Sequence, residues 1–498
     1  MIYNFNLGIG WASSGVEYAQ AYRARMFRLL GKPAKFVFTD MFPQENIEHL
    51  TRNIGFKDSE VVWLYSAFTD FRIAPVTYTL AQFLATLDDE DFKVTRTGKV
   101  GRLQFSDPGR FCSLYFADER RDALHRVEFV SGGCLVRKDY FTYGRLYSEY
   151  YAPFDGRAHL YLRRFFNEDG TVAFEEMPQD GDALFRFPDH VFFSKEDLVG
   201  HFVRSLGLTS DDTVIIDSTT GIGQALLENA GPARVGVVVH ADHFSVAGTD
   251  EAHILWNNYY EYPFDMFRHI DFFVVSTPAQ KELMEGQFAR YVGAVPEIDV
   301  VPVGGLDGLV RPTAPRRPCS IVTASRLASE KHLDWVIEAC VAAKEAVPDL
   351  TLDICGEGVE RDRLQALVRD RGAEGYIRLL GQRDMAAVYP HYELYLSGST
   401  SEGFGLSLME AVGNGLAMIG FDVPYGNPTF IDDGKNGFLV PAREAMTEAD
   451  RVQALADRVV CYFTECDRAS FAQRSYEIAE AYEEQRVALK WKGVIEGR

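Results

Sequence analysis

Apolar residues along the chain recur in three rhythms, and each predicts a different kind of element. Ile2 to Leu7 alternates at period two, and Val16, Ala19, Tyr22, Met26 and Leu29 then return at helical spacing. Between them stands Gly8-Ile9-Gly10-Trp11-Ala12-Ser13-Ser14-Gly15. This predicts strand, glycine loop and helix, with Ser14 and Glu17 as a capping box, a helix start near Gly15 and Gly31 as the stop. Lys35 to Thr39 reads as the next strand, which gives the β-α-β order of a parallel sheet covered by helices.

From about Val61 to about Met177 the rhythm shortens to aromatic and β-branched runs at period two, among them Arg102-Leu103-Gln104-Phe105 and Val127-Glu128-Phe129-Val130. Asp107-Pro108-Gly109, Gly132-Gly133 and Asn167-Glu168-Asp169-Gly170 punctuate them, the cadence of an inserted antiparallel meander. Nearly continuous β-branched runs return at Thr213 to Asp217 and Arg234 to Val239, as in strands covered on both faces. Pro312, Pro315 and Pro318 then mark a linker. A second β-α series follows: strand from Ser320 to Ala324, helix around Leu333 to Ala346, strand from Leu350 to Cys355, helix around Val359 to Arg371, strand from Tyr376 to Leu380. The expected fold class is α/β, with two doubly wound Rossmann-like domains facing a cleft and a β-meander inserted in the first. The expected boundaries are 1–60 plus 190–312, 61–189 and 313–480, with a terminal helix at 481–498 crossing back to the first domain.

Composition narrows the function. With 498 residues, 47% hydrophobic and 25% charged, the chain buries large cores and is neither fibrous nor disordered. Lys and Arg number 51 against 72 Asp and Glu, and a formal charge of -21 argues against nucleic acid as a partner. Seven scattered cysteines without a C-x-x-C pair point to a reduced compartment and no structural zinc. The chain opens without a basic start and holds no apolar run of about 18 residues, so a cytoplasmic, soluble protein is expected, at most peripheral at the membrane.

Ligands of open parallel sheets bind at the carboxyl ends of the strands, and the chemistry-bearing motifs fall there. Ser399-Thr400-Ser401-Glu402-Gly403-Phe404-Gly405-Leu406 leads into a helix carrying Glu410, so two glutamates flank a glycine turn. Amides of Phe404, Gly405 and Leu406 at a helix start can cradle a phosphate. Glu410, beside Leu406, Met409 and Ala411, is either aimed at a hydroxyl-rich ligand or solvated on a helix edge. Arg326 and Lys331 follow the first strand of the second series and can aim two cations at a diphosphate; a surface pair with Glu330 is the alternative. His240 and His243 leave the strand ending at Val239, where one can face a reacting carbon and either can be a core histidine.

This set of Glu402, Glu410, Arg326, Lys331 and His240, with Pro302-Val303-Gly304-Gly305-Leu306-Asp307 at the domain junction, resembles the retaining GT-B glycosyltransferases of family 4. The glycine loop and meander narrow the resemblance to the A subunits of the accessory Sec (accessory-secretion) glycosyltransferases that modify serine-rich repeat adhesins. The resemblance implies a hexosyltransferase moving N-acetylglucosamine or glucose from UDP-GlcNAc or UDP-Glc to Ser/Thr hydroxyls of an adhesin, the first step of its O-glycosylation. It also implies a paralogous co-activating subunit, no cofactor and no metal. Carried over, Arg326 and Lys331 contact the pyrophosphate, Glu402 and His240 the sugar, and Glu410 the ribose. Gly15 and the amides of Gly403, Phe404, Gly405 and Leu406 lie near phosphate; Gly356, Glu357, Gln382 and Arg383 surround the nucleoside; His243 touches sugar or acceptor. The competing functions are a family 4 enzyme acting on a small or lipid-linked acceptor, and a non-catalytic scaffold. Front-face transfer is favoured over double displacement.

Overall fold

The computed structural model describes residues 1–9, 15–87, 91–179, 181–443 and 445–497. Gly10 to Ser14, and with them the Ser14 capping box, lie outside the described residues. The chain forms two compact units, Met1–Ala24, Gly31–Val238 and Trp256–Asp271 in one, Arg25–Leu30, Val239–Leu255 and Phe272–Arg498 in the other.

In the first unit, Val61–Trp63, Ala34–Phe38, Ile2–Asn6, Thr213–Ile216 and Arg234–Val239 pair in that order, all parallel. Phe5, Phe36, Phe38 and Ile215 are fully buried in it, as expected of strands with helices on both faces. The helix Gly15–Leu29 covers the residues that recur at helical spacing. Its Gln20 and Arg23 are pinned to the strand ends by a buried polar cluster. Arg23 pairs with Asp217 at 2.5 Å and donates to Asn4 Oδ1 at 3.0 Å, while Gln20 donates to Asp217 at 2.7 Å and accepts from Asn6 at 3.1 Å.

The same unit holds a ten-stranded antiparallel sheet running from Phe92–Thr97 to Val191–Phe192, each strand beside the next in sequence. The expected meander is present but shifted along the chain. Val61–Trp63 is a parallel strand paired with Phe36 to Phe38, and three apolar residues are too few to show a period. At the other end Asp182–Arg186 and Val191–Phe192 extend the sheet past Met177. One sheet face carries a cross-strand aromatic ladder. Tyr140, Tyr147, Phe165, Phe174 and Phe187 stack at centroid spacings of 4.3, 5.3, 4.4 and 4.8 Å, and Tyr65 stacks on Phe165 at 5.3 Å. Tyr140 and Tyr147 are therefore core residues.

In the second unit, Phe272–Val275 and Ile298–Val300 pair in parallel. A six-stranded parallel sheet follows, in the order Ile377–Gly381, Thr351–Cys355, Ser320–Ala324, Leu394–Leu396, Ala417–Asp422, Gly437–Pro441. The order reverses between Ser320–Ala324 and Leu394–Leu396, the switch point where doubly wound sheets bind ligands. The helix Glu484–Glu496 packs Trp491 on Phe27 at 5.7 Å, and Arg25 pairs with Glu484 at 2.9 Å.

Candidate active site

Because the six strands are parallel, the loops that follow them emerge on one edge, and glycines let those loops touch backbone to backbone. A Cβ at Gly356 would lie 1.9 Å from Ser325 O, and one at Gly358 would lie 2.3 Å from Leu327 O. Leu327 N donates to Glu357 O at 2.9 Å and Glu360 N to Leu327 O at 3.1 Å, so the loops after the first two strands of the series form one surface. Likewise a Cβ at Gly398 would lie 2.5 Å from His332 O. Gly358 and Gly398 escaped the sequence reading, although Gly356-Glu357-Gly358 after a strand is a legible sign of close backbone approach.

That close approach delivers Lys331 to Glu402. The Lys331 ammonium donates to Glu402 Oε2 at 2.7 Å, and both side chains are largely buried. The Glu402 backbone is held in turn: Tyr425 N and Gly426 N both donate to Glu402 O at 2.7 Å. Gly426 packs so closely that a Cβ there would lie 2.3 Å from Phe404 O. Gly405, at φ 84, is the N-cap of the helix Leu406–Gly413 and needs the left-handed conformation that glycine adopts freely. Phe404 anchors the turn against Phe430 and Tyr482, at 5.2 and 5.9 Å. The first-turn amides of this helix, with its positive dipole end, thus sit beside the Lys331 and Glu402 pair.

Glu410 lies one turn further along the helix, half-buried. Burial, reinforced by the Asp384 carboxylate, pushes its pKa up to about 7. Gln382 and Arg383 are exposed at the end of Ile377–Gly381, and Asp384 caps the short helix Met385–Val388. Glu357 pairs with Arg361 at 2.8 Å.

The segment after Val239 reaches the same loop. A Cβ at Gly403 would lie 3.5 Å from His240 O, and Ser401 Oγ donates to Asp242 Oδ2 at 3.4 Å. His240 is half-buried there. His243 is fully buried, its Nε2 2.6 Å from Gln287 Oε1 and its ring 6.4 Å from that of Tyr425; burial pulls its pKa down to about 4. It is a neutral core histidine that braces the loop. Arg326, expected beside Lys331, turns to Glu330 at 3.1 Å with its side chain 78% exposed. Gly15 is the first described residue of the helix Gly15–Leu29, in the first unit, and among the described residues a Cβ there meets nothing within 4 Å. Lys331, Glu402, Gly403 to Leu406, Glu410 and the His240 backbone are therefore one constellation. Among the described residues no three His, Cys, Asp or Glu side chains are grouped to hold a metal ion.

Two parallel doubly wound sheets, with a glutamate and a lysine at the start of a helix on the second, define a GT-B glycosyltransferase, and residues 312–458 match the family model described as glycosyl transferases group 1. Residues 93–189 match a second model, the GtfA extended beta-sheet domain. The chain is 50% identical over 99% of its length, and 98% of the relative, to the UDP-N-acetylglucosamine–peptide N-acetylglucosaminyltransferase GtfA subunit of Streptococcus gordonii. It is 44% identical, with 99% and 98% covered, to the GtfA subunit of Limosilactobacillus reuteri. It thus belongs to the GtfA subunit family of these glycosyltransferases. Among solved structures, the pneumococcal O-GlcNAc transferase GtfA in complex with UDP and GlcNAc superposes with TM-score 0.92 at 47% identity, covering 100% of this chain and 98% of that one. A chain of a GtfA/B complex gives 0.97 at 49%, covering 100% and 99%. TarM, at 0.67 and 18% identity, shares the fold. Among the described residues no helix is long and apolar enough to cross a membrane.

Proposed function

We propose that this chain is the catalytic subunit of a UDP-N-acetylglucosamine:peptide N-acetylglucosaminyltransferase, acting in the cytoplasm on Ser/Thr hydroxyls of a serine-rich adhesin, with a paralogous subunit that helps hold the acceptor. The observation that carries this reading is the 2.7 Å Lys331–Glu402 pair at the start of the helix Leu406–Gly413. Near-full-length identity to GtfA subunits supports the donor, the peptide acceptor and the paired subunit.

In this mechanism the bond from C1 to the UDP oxygen breaks while C1 bonds to the acceptor oxygen on the same face. The departing phosphate oxygen takes the acceptor's proton. Negative charge then grows on the diphosphate, where Lys331 and the helix amides stabilise it. An ammonium has three N–H donors, so Lys331 can hold Glu402 and a phosphate oxygen together. Glu402 accepts from sugar hydroxyls and orients the ring, and His240 lines the sugar face. Arg326 joins by leaving Glu330, an exposed pair worth under about 1 kcal/mol. Glu410 holds the ribose hydroxyls. No cofactor or metal enters this scheme.

The test is UDP-GlcNAc hydrolysis and transfer to a serine-rich peptide, with and without the paralogous subunit. Slow hydrolysis by the chain alone and efficient transfer only with the second subunit are expected. Glu402→Ala should lower both rates at least about a hundredfold, the usual effect of losing a group aimed at the reacting centre. Full activity of Glu402→Ala would remove the site.

A further inference from the structure

The helix Leu406–Gly413 has eight residues and spans about 12 Å, too short to hold its own position, so whatever grips its ends decides where its amides and Glu410 stand. One segment, residues 303–316, grips both. At the start of the helix, Gly304 lies so close that a Cβ there would be 2.3 Å from Leu406 Cδ2. At the end, Leu306 covers Gly413, where a Cβ would meet Leu306 Cδ1 at 2.7 Å, and Val310 N donates to Gly413 O at 2.9 Å. Arg316 closes the strap, donating to Gly415 O at 2.8 Å and to Asn414 O. Tyr476 Oη lies 2.8 Å from Val310 O and 3.0 Å from Asn414 O. The strap is itself tied down, since Leu306 N donates to Tyr482 O at 2.8 Å and Glu484 N to Leu306 O at 3.0 Å.

A helix C-terminus offers unpaired carbonyls and a partial negative charge, which a cation satisfies. Arg316 supplies it at one end of a helix whose other end is proposed to meet the donor phosphate. We propose that Arg316, with the strap it closes, is a positioning residue for the nucleotide sugar: it fixes the helix from behind so that first-turn amides and Glu410 are set before the donor arrives. This rests on the donor site proposed above. A cavity of about 350 Å³ already reaches Arg316 between Arg311, Glu393 and Arg468, so water can replace its donors and truncation need not unfold the helix.

Calorimetric titration with UDP separates the possibilities. Failure of the wild-type chain to bind UDP overturns the donor site itself, not the strap. Given wild-type binding, Arg316→Ala is expected to weaken UDP about fivefold, the upper range for a charge at a helix end, and Arg316→Lys to restore most of it. The donor KM should rise in step while kcat at saturating donor stays within about twofold, because the helix is displaced and the chemistry is not. Gly304→Ala, which pushes on Leu406 from the opposite end, should weaken UDP similarly. Unchanged UDP affinity in a folded Arg316→Ala protein overturns the proposal, as does a loss that Lys fails to restore. If Arg316→Ala does not fold, wild-type affinity in Gly304→Ala overturns it instead.

Discussion

Glu402, Glu410 and His243 began as letters in motifs, and the structure gives each a distinct electrostatic state. Glu402 is neutralised by Lys331 at 2.7 Å. Glu410, with its pKa pushed up to about 7 by burial and Asp384, holds a proton below neutrality. Ribose hydroxyls bonding to it favour the ionised form and lower its pKa. Donor binding should therefore release a proton below about pH 7, and affinity should fall as pH drops further, because the carboxyl must first be stripped of its proton. Titrating UDP-GlcNAc in buffers of different ionisation enthalpy measures this, since a diphosphate diester does not itself titrate in that range. Glu410→Gln should show neither proton release nor pH slope; a slope that survives in that variant contradicts the assignment. Glu410 was legible because a carboxylate on an apolar helix face demands an explanation, and Glu402 because it precedes a glycine turn into that helix. Arg326 was not, since its four-residue spacing to Glu330 is equally that of a surface pair, which is what forms at 3.1 Å. Nor could spacing separate His240 from His243, because the buried His243 meets Gln287, forty-four residues on.

At the scale of elements, the strand Ile2–Asn6 stands where the period-two alternation places it, and Arg234–Val239 and Ser320–Ala324 where the β-branched runs do. Boundaries moved where the signal was shared. Val61–Trp63 has the aromatic texture of the meander because Trp63 and Tyr65 pack on its ladder, yet its hydrogen bonds belong to the parallel sheet. What periodicity could not reveal was the polar cluster that fixes the helix Gly15–Leu29 against the strand ends. Arg23 and Asp217 are 2% and 0% exposed and lie 194 residues apart in sequence. Removing one partner breaks a buried ion pair, so Asp217→Ala should cost about 3–5 kcal/mol, read from the urea midpoint at unchanged slope. Replacing both by leucine should be far milder. A loss for Asp217→Ala of under about 1 kcal/mol would mean that the pair is not holding the helix.

For the whole molecule, the acidic balance of -21 speaks against a polyanionic partner and makes the cations of the proposed donor site local exceptions. The ten-stranded sheet packs Tyr140 and Tyr147 into its core and leaves Tyr161 exposed. The strand-end residues carried a resemblance over the two sheet domains, because parallel sheets gather such positions at one edge, and the glycine loop with the inserted meander extended it to nearly the whole chain. The most direct test of the account is a crystal structure of this chain soaked with UDP. It predicts diphosphate oxygens within about 3.2 Å of Lys331 Nζ and of at least one first-turn amide from Phe404 to Leu406, with ribose hydroxyls on Glu410. Well-ordered UDP bound elsewhere, with the Lys331 and Glu402 pair untouched by it, contradicts the account.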